Sequence, residues 1–264
     1  MLSPTMNRQF KILAVTAAIG PLVFWGPGVI EAASGLEVFA VREVEVTGIK
    51  ILTEEAVVGR LALGSFASVW GDAEVWRERI IADPMVRTVD IRRRIPSGLL
   101  IQVEERTPIA LAGTPLLEAV DAEGYRLPID PTLYRLDLPI ISSKQRVPED
   151  AVLLPEDIRA LATEVEHLTA THQEFARQIS TIRWHSDGVV AVRLLPLKGH
   201  DVDFIMPVHT TGVRIREGES ALSHAMREAA GRPPAEVDLR FSEQVVIRRY
   251  SSSAPAPIFT AGGR

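Results

Sequence analysis

Residues Val86 to Leu111 read VRTVDIRRRIPSGLLIQVEERTPIAL, and their two-residue alternation leaves few structural choices. Val89, Ile91 and Ile95 alternate with Asp90, Arg92 and Arg94. Beyond a Pro-Ser-Gly turn, Leu99, Ile101 and Val103 alternate with Leu100, Gln102 and Glu104. Successive strand side chains point to opposite faces, so the spacing predicts a hairpin with one apolar face and one charged, solvated face. Opposite charges on neighbouring strands contribute roughly 0.2–1 kcal/mol per pair, so the arginines and glutamates serve strand pairing and solubility first. The apolar face has to be covered by something packed on it.

The preceding residues supply the cover. In FAVREVEVTG (Phe39 to Gly48), Val44 and Val46 face one way and Glu43 and Glu45 the other, a strand that Gly48 stops. Thr53, followed by Glu54 and Glu55, predicts a helix N-cap, with Val57 and Leu61 in a buried stripe reaching about Leu63 and Gly64 as terminator. Asp72 caps a second helix whose buried side draws on some combination of Val75, Trp76, Ile80 and Ile81, and which stops before Pro84. The order is strand, helix, helix, strand, strand, over residues 39–112.

Residues 115–250 predict a second, larger domain. LLEAVDAEGYRLP is a hairpin turning at Ala-Glu-Gly, and Leu138 to Ile141 is a further strand. From Pro155, apolar residues at Ile158, Leu161, Ala162, Val165, Leu168, Phe175, Ala176 and Ile179 keep helical spacing for over five turns, with His172 on the same stripe as a core-edge histidine. The strands QISTIRWHS, GVVAVRLLP and HDVDFIMP follow, then a helix around Gly218 to Ala230 and closing strands Glu236 to Phe241 and Gln244 to Tyr250. The fold class is α+β. The tail 251–264, SSSAPAPIFTAGGR, has the composition of a disordered segment.

Before both domains lies ILAVTAAIGPLVFWGPGVI, Ile12 to Ile30, which carries no charge. Helical residues rise about 1.5 Å each, so this stretch just spans a hydrocarbon core of roughly 30 Å. Arg8 and Lys11 precede it and no acidic residue does, which keeps residues 1–11 in the cytoplasm and exports everything after Glu31. Three readings stay open: an uncleaved transmembrane anchor over 12–30, a signal peptide cleaved near EAASG (Glu31 to Gly35), or a plain buried core helix, and the first two export the rest of the chain.

Chemistry finds little support. Cysteine is absent, so thiolate nucleophiles, thiolate metal sites and disulfides are excluded. A net charge of −5, with both signs mixed along the chain, argues against a nucleic-acid-binding surface. His200, Asp201 and Asp203 suggest a metal, but strand alternation puts His200 on one face and the aspartates on the other. Asp121 and Glu123 sit at a hairpin tip, where acidic residues are ordinary. Gly218, Glu219 and Ser220 begin a nucleophile-elbow pattern that Leu222 breaks. Trp70, Trp76 and Trp184 read as packing residues. No catalytic residue, metal or cofactor is expected.

With these residues in view, the chain resembles the FtsQ (DivIB) family of bacterial division proteins. The likeness rests on the strand-helix-helix-strand-strand order, on DPMVRTVDIRRRIPSGLLIQVEERTPIAL with its Glu-Arg-x-Pro ending, on VDAEG (Val120 to Gly124), and on EVDLRFSEQVVIRR (Glu236 to Arg249). It implies a POTRA domain followed by an FtsQ-type β domain, a mainly antiparallel sheet with helices against one face. It further implies a single-pass inner-membrane protein at the division septum, with its C-terminal domains periplasmic. Such a protein is a non-enzymatic scaffold that binds FtsB- and FtsL-like bitopic partners through its terminal strands and helps recruit and regulate septal peptidoglycan synthesis. Carried onto this sequence, the partner-binding residues are Arg240, Phe241, Val245, Val246, Ile247, Arg248 and Arg249. Phe241 stands where the family commonly has tyrosine, and the Ser-Glu-Gln turn lacks the family's frequent glycine. The alternatives are strands that merely close the sheet, a POTRA-bearing export or envelope assembly factor, and an exported cell-wall hydrolase.

Overall fold

The alternation of residues 39–105 closes into a three-stranded sheet in the computed structural model, which describes residues 37–249 apart from 115, 144, 146, 147, 149, 150 and 229–232. The apolar stretch 12–30, residues 1–11, Tyr250 and the tail 251–264 lie outside the described residues. The chain divides into two units between Glu105 and Arg106.

In the first unit, β1 (Glu43–Thr47), α1 (Glu54–Leu61), α2 (Ala73–Ile81), β2 (Val86–Arg94) and β3 (Gly98–Glu105) follow the predicted order. The strands lie β1-β3-β2, with β1 parallel and β2 antiparallel to β3. Thr53 caps α1 by accepting the Ala56 N–H at 3.2 Å, and Asp72 caps α2 by accepting Glu74 N–H at 2.9 Å. Val57, Leu61, Trp76 and Ile80 are buried against Val89, Ile91, Leu99, Ile101 and Val103. Gly48 has φ +86°, and a Cβ there would stand 2.0 Å from the Val103 carbonyl oxygen, so only glycine ends β1 in this way.

Two expectations need correction here, the end of α1 and the place of Ile95. The helix ends at Leu61, not near Gly64, because Ala62 takes the left-handed conformation (φ 48°) and its N–H reaches Gly59 O. Of the four residues offered for the buried side of α2, Trp76 and Ile80 fill it, and Val75 and Ile81 are exposed. Ile95 lies exposed in the turn instead of continuing the apolar row. Arg93, exposed like Arg92 and Arg94, also binds the α1–α2 loop, donating to Val69 O at 2.7 Å and Gly71 O at 3.1 Å. The outer face does pair its charges: Arg94 reaches Glu45 at 3.1 Å, Arg92 meets Asp90 at 2.7 Å, and Thr88 donates to Glu104 at 2.9 Å.

The second unit holds β4 (Ala110–Thr114), β5 (Leu116–Val120), β6 (Arg126–Leu127), β7 (Ile140–Ser142), α3 (Glu156–Thr171), α4 (Gln173–Ala176), β8 (Ile179–Ser186), β9 (Val189–Leu194), β10 (Asp203–Pro207), α5 (Gly212–Arg227), β11 (Pro234–Asp238) and β12 (Val246–Arg249). They form one sheet in the order β12-β11-β10-β9-β8-β7-β4-β5-β6. The β7–β4, β7–β8 and β10–β11 pairings are parallel and the other five antiparallel, so the sheet is mixed. Helix α3 packs on β4, β7 and β8, and α5 on β11 and β12. Gly218 brings α5 close: a Cβ would lie 2.9 Å from the Phe204 ring and 3.0 Å from Leu239.

Ala110–Thr114, assigned in part to the first domain from sequence, is a strand of this second sheet. The long helix predicted from Pro155 breaks at His172, whose backbone (φ −150°, ψ 69°) leaves the helix while its Nδ1 accepts the Phe175 N–H at 3.4 Å. Ile179, expected as its last apolar residue, opens β8 instead. Strand β10 starts at Asp203, because Leu197 to His200 form a tight bridge before it. Helix α5 starts earlier than expected, at Gly212, where Thr211 caps it.

Candidate partner-binding edge

Strand β12 is the outermost strand of the nine. It pairs antiparallel with β11 through Val246↔Asp238, Ile247↔Val237, Arg248↔Glu236 and Arg249↔Pro234. Only one side of its backbone meets β11, and among the described residues no strand pairs with the other side. A free strand side offers a row of N–H and C=O groups to an incoming chain. Val245 and Ile247 pack against the core of this unit, which fixes the strand's face, and Val246 is half-buried.

The expected closing strand Glu236 to Phe241 is shorter: β11 ends at Asp238, and Arg240 and Phe241 lie in the loop to β12. The cause is Asp238. Its carboxylate is fully buried and accepts Arg240 N–H at 3.1 Å, Arg240 Nε at 2.9 Å and Arg240 Nη2 at 2.6 Å, which turns the chain off the ladder. Those bonds hold the Asp238 carboxyl below its usual range against the opposing effect of burial, with Arg248 adding its charge at 3.5 Å. Arg248 also donates to Glu236, and Arg249 reaches Ala225 O on α5 at 3.4 Å. The arginines named from sequence thus hold the edge in shape, and Phe241, 44% exposed, is the apolar group left outward.

Arg214 was missed by sequence reasoning. From the first turn of α5 it donates to Phe241 O and to Gln244 O, the latter at 2.5 Å, and so clamps the loop that carries Phe241. Its partners are backbone carbonyls, which leave no mark in the pattern of side chains. Asp238 lies inside the quoted Asp-x-Arg-aromatic run, yet its burial was not legible there.

The other singled-out residues do not gather into a site. Asp203 accepts from Arg193 at 2.8 Å and Arg183 at 3.0 Å, and Asp201 lies 3.8 Å from Arg193. Among the described residues no group of three His, Asp or Glu is placed to hold a metal ion. Asp121 and Glu123 both accept from Arg106. Trp76 is buried, Trp184 is half-buried and donates to Asp157 O at 3.1 Å, and Trp70 is 38% exposed beneath the Arg93 guanidinium. His172 lies 3.3 Å from Glu219. A buried carboxylate that sequence reasoning missed is Glu164 on α3: it accepts the His209 N–H at 3.0 Å, and burial raises its pKa against the pull of that bond and of His209 and His167. Its place on the apolar stripe between Leu161 and Val165 was the available signal.

Residues 39–106 match the family model described as the FtsQ-type POTRA domain. The chain is 24% identical over 188 residues to a cell division protein FtsQ of Myxococcus fulvus, an alignment covering 70% of this chain and 66% of that protein. It is 25% identical over 166 residues to a cell division protein FtsQ of Geotalea daltonii, covering 62% and 60%. The match therefore spans just under two thirds of the length of these relatives. Residues 39–106 are thus similar to an FtsQ-type POTRA domain, and the chain is similar to FtsQ cell division proteins over 62–70% of its length.

Proposed function

We propose that the chain is a non-enzymatic scaffold of the bacterial division machinery. Residues 12–30 anchor it in the inner membrane with the N-terminus cytoplasmic, and the edge strand β12 takes up FtsB- and FtsL-like bitopic partners. Through them it helps recruit and regulate septal peptidoglycan synthesis. The observation that carries this reading is the outer side of β12, with which no strand pairs among the described residues, beside an outward Phe241. An added strand gains affinity from main-chain hydrogen bonds, and a nearby aromatic supplies the desolvated anchor typical of interface hot spots. The similarity to FtsQ proteins supports the cellular setting.

The test is co-purification of the full chain with an FtsB-like and an FtsL-like partner from cells. Val246→Pro removes a backbone donor from β12 and is expected to abolish recovery of the partners. Phe241→Ala should weaken it at an unchanged melting temperature. Undiminished recovery with both variants would refute docking at this edge.

A further inference from the structure

Ala62 to Gly71, ALGSFASVWG, contains no charged residue although it makes up all of the loop between α1 and α2 except Asp72, the cap of α2. Its Phe66 is 91% exposed, Trp70 is 38% exposed, and neighbouring Val38 is 53% exposed. The loop is held in place. Val41 N–H donates to Ala67 O at 2.8 Å, Val69 N–H to Phe39 O at 2.9 Å, and Arg93 binds Val69 O and Gly71 O. Phe39 and Trp70 meet edge to face at 6.1 Å. A single exposed apolar side chain is ordinary; a fixed loop, free of charge up to its last residue, that pushes a phenylalanine almost wholly into solvent is a contact surface awaiting a cover.

We propose that this cover is the outer interface of the bilayer that residues 12–30 cross, with Phe66 seated among the lipid headgroups and Trp70 beside it. The inference rests on the anchor reading of the proposed function. The loop is bonded to residues 39–41, and residues 31–36 are all that separate Glu37 from the end of the apolar stretch. At about 3.5 Å per residue that connection reaches no more than roughly 25 Å, so the anchor confines this corner of the POTRA domain to the membrane's vicinity. Phenylalanine and tryptophan favour that zone, where an apolar ring is buried and polar groups stay wet.

The chain has no cysteine, so one introduced cysteine accepts one label. The full chain is reconstituted into phosphatidylethanolamine–phosphatidylglycerol vesicles with a polarity-sensitive fluorophore on Ser65→Cys, beside Phe66, or on Gln102→Cys, on the solvated face of β3. In vesicle-bound protein the label at 65 is expected to resist iodide quenching several-fold better than that at 102 and to be quenched by lipids carrying an interfacial nitroxide. Adding Phe66→Asp should erase both differences without changing the melting temperature. Equal iodide quenching at 65 and 102 in chains that float with the vesicles would overturn this proposal alone. Protection from iodide without nitroxide quenching would mean that protein covers the loop, and also overturns it. Failure to float with the vesicles would overturn the anchor and this proposal together.

Discussion

Arg106 lies 2.5 Å from the Asp121 carboxylate and 2.8 Å from that of Glu123, with its guanidinium 3.6 Å above the Tyr125 ring. This bond ties the Glu-Arg-x-Pro ending of one motif to the Val-Asp-Ala-Glu-Gly of the other. Asp121 in turn shapes the β5–β6 turn by accepting the Glu123 and Tyr125 N–H groups at 3.1 and 2.7 Å. Burial works against the Arg106 charge, but the bonds to Glu123 and Asp121 outweigh it and raise its pKa. Arg106→Ala strands a carboxylate that is 5% exposed, and breaking a buried pair by removing one partner costs about 3–5 kcal/mol. Urea unfolding of the second unit should show that loss; a shift under about 0.5 kcal/mol, as for ordinary surface changes, would mean the pair is incidental.

The adjacent residue has an equivalent duty in the POTRA domain. Glu105 accepts the N–H groups of Lys50, Ile51 and Leu52 at 2.8 to 3.1 Å, closing the connection between β1 and α1. Glu105→Ala is predicted to cost about 1–3 kcal/mol by leaving those donors without their acceptor. Amide exchange at residues 50–52 should accelerate in the variant, and unchanged exchange would show that water replaces the carboxylate at no cost.

Asp238 predicts acid sensitivity of the β11–β12 loop. Its folded pKa lies below the unfolded one, so its stabilisation is present at neutral pH and is lost as pH falls through the folded value. Asp238→Asn should therefore be less stable than the wild type near pH 7, with the gap narrowing as acid is added. A gap constant from pH 7 down to about pH 3, below the usual aspartate range, would contradict the role given to the Arg240 bonds.

Glu164 predicts the opposite slope. Burial raises its folded pKa above the unfolded one, so the protonated side chain favours the folded state at low pH and that contribution is lost as pH rises through the raised value. Glu164→Gln removes this titration. The stability of the variant relative to the wild type should rise with pH across the carboxylate range, read by denaturant unfolding at a series of pH values. A flat difference would place the pH dependence elsewhere.

Much of the POTRA domain was legible because its signals are local. Thr53 and Asp72 bond to N–H groups two or three residues away, and the alternation of Val89, Ile91, Leu99 and Ile101 is a property of single strands. What escaped depends on distant partners. Arg93 stays exposed yet holds the α1–α2 loop, because two loop carbonyls lie within its reach. Helix α3 stops where the His172 ring turns back to cap the next turn, a choice that no spacing rule records. At the candidate edge, the apolar Val245 and Ile247 were readable, whereas the burial of Asp238 and the Arg214 clamp depend on α5 packing beside β11.

The most direct test of edge docking is hydrogen–deuterium exchange of Gln244 to Arg249 in the full chain, alone and saturated with an FtsB-like partner. Strand addition predicts that alternate β12 amides, those turned away from β11, slow by at least about tenfold, the factor set by roughly 1.4 kcal/mol of added protection. A complex that forms while exchange across β12 stays unchanged would contradict the account and move the partner to another face.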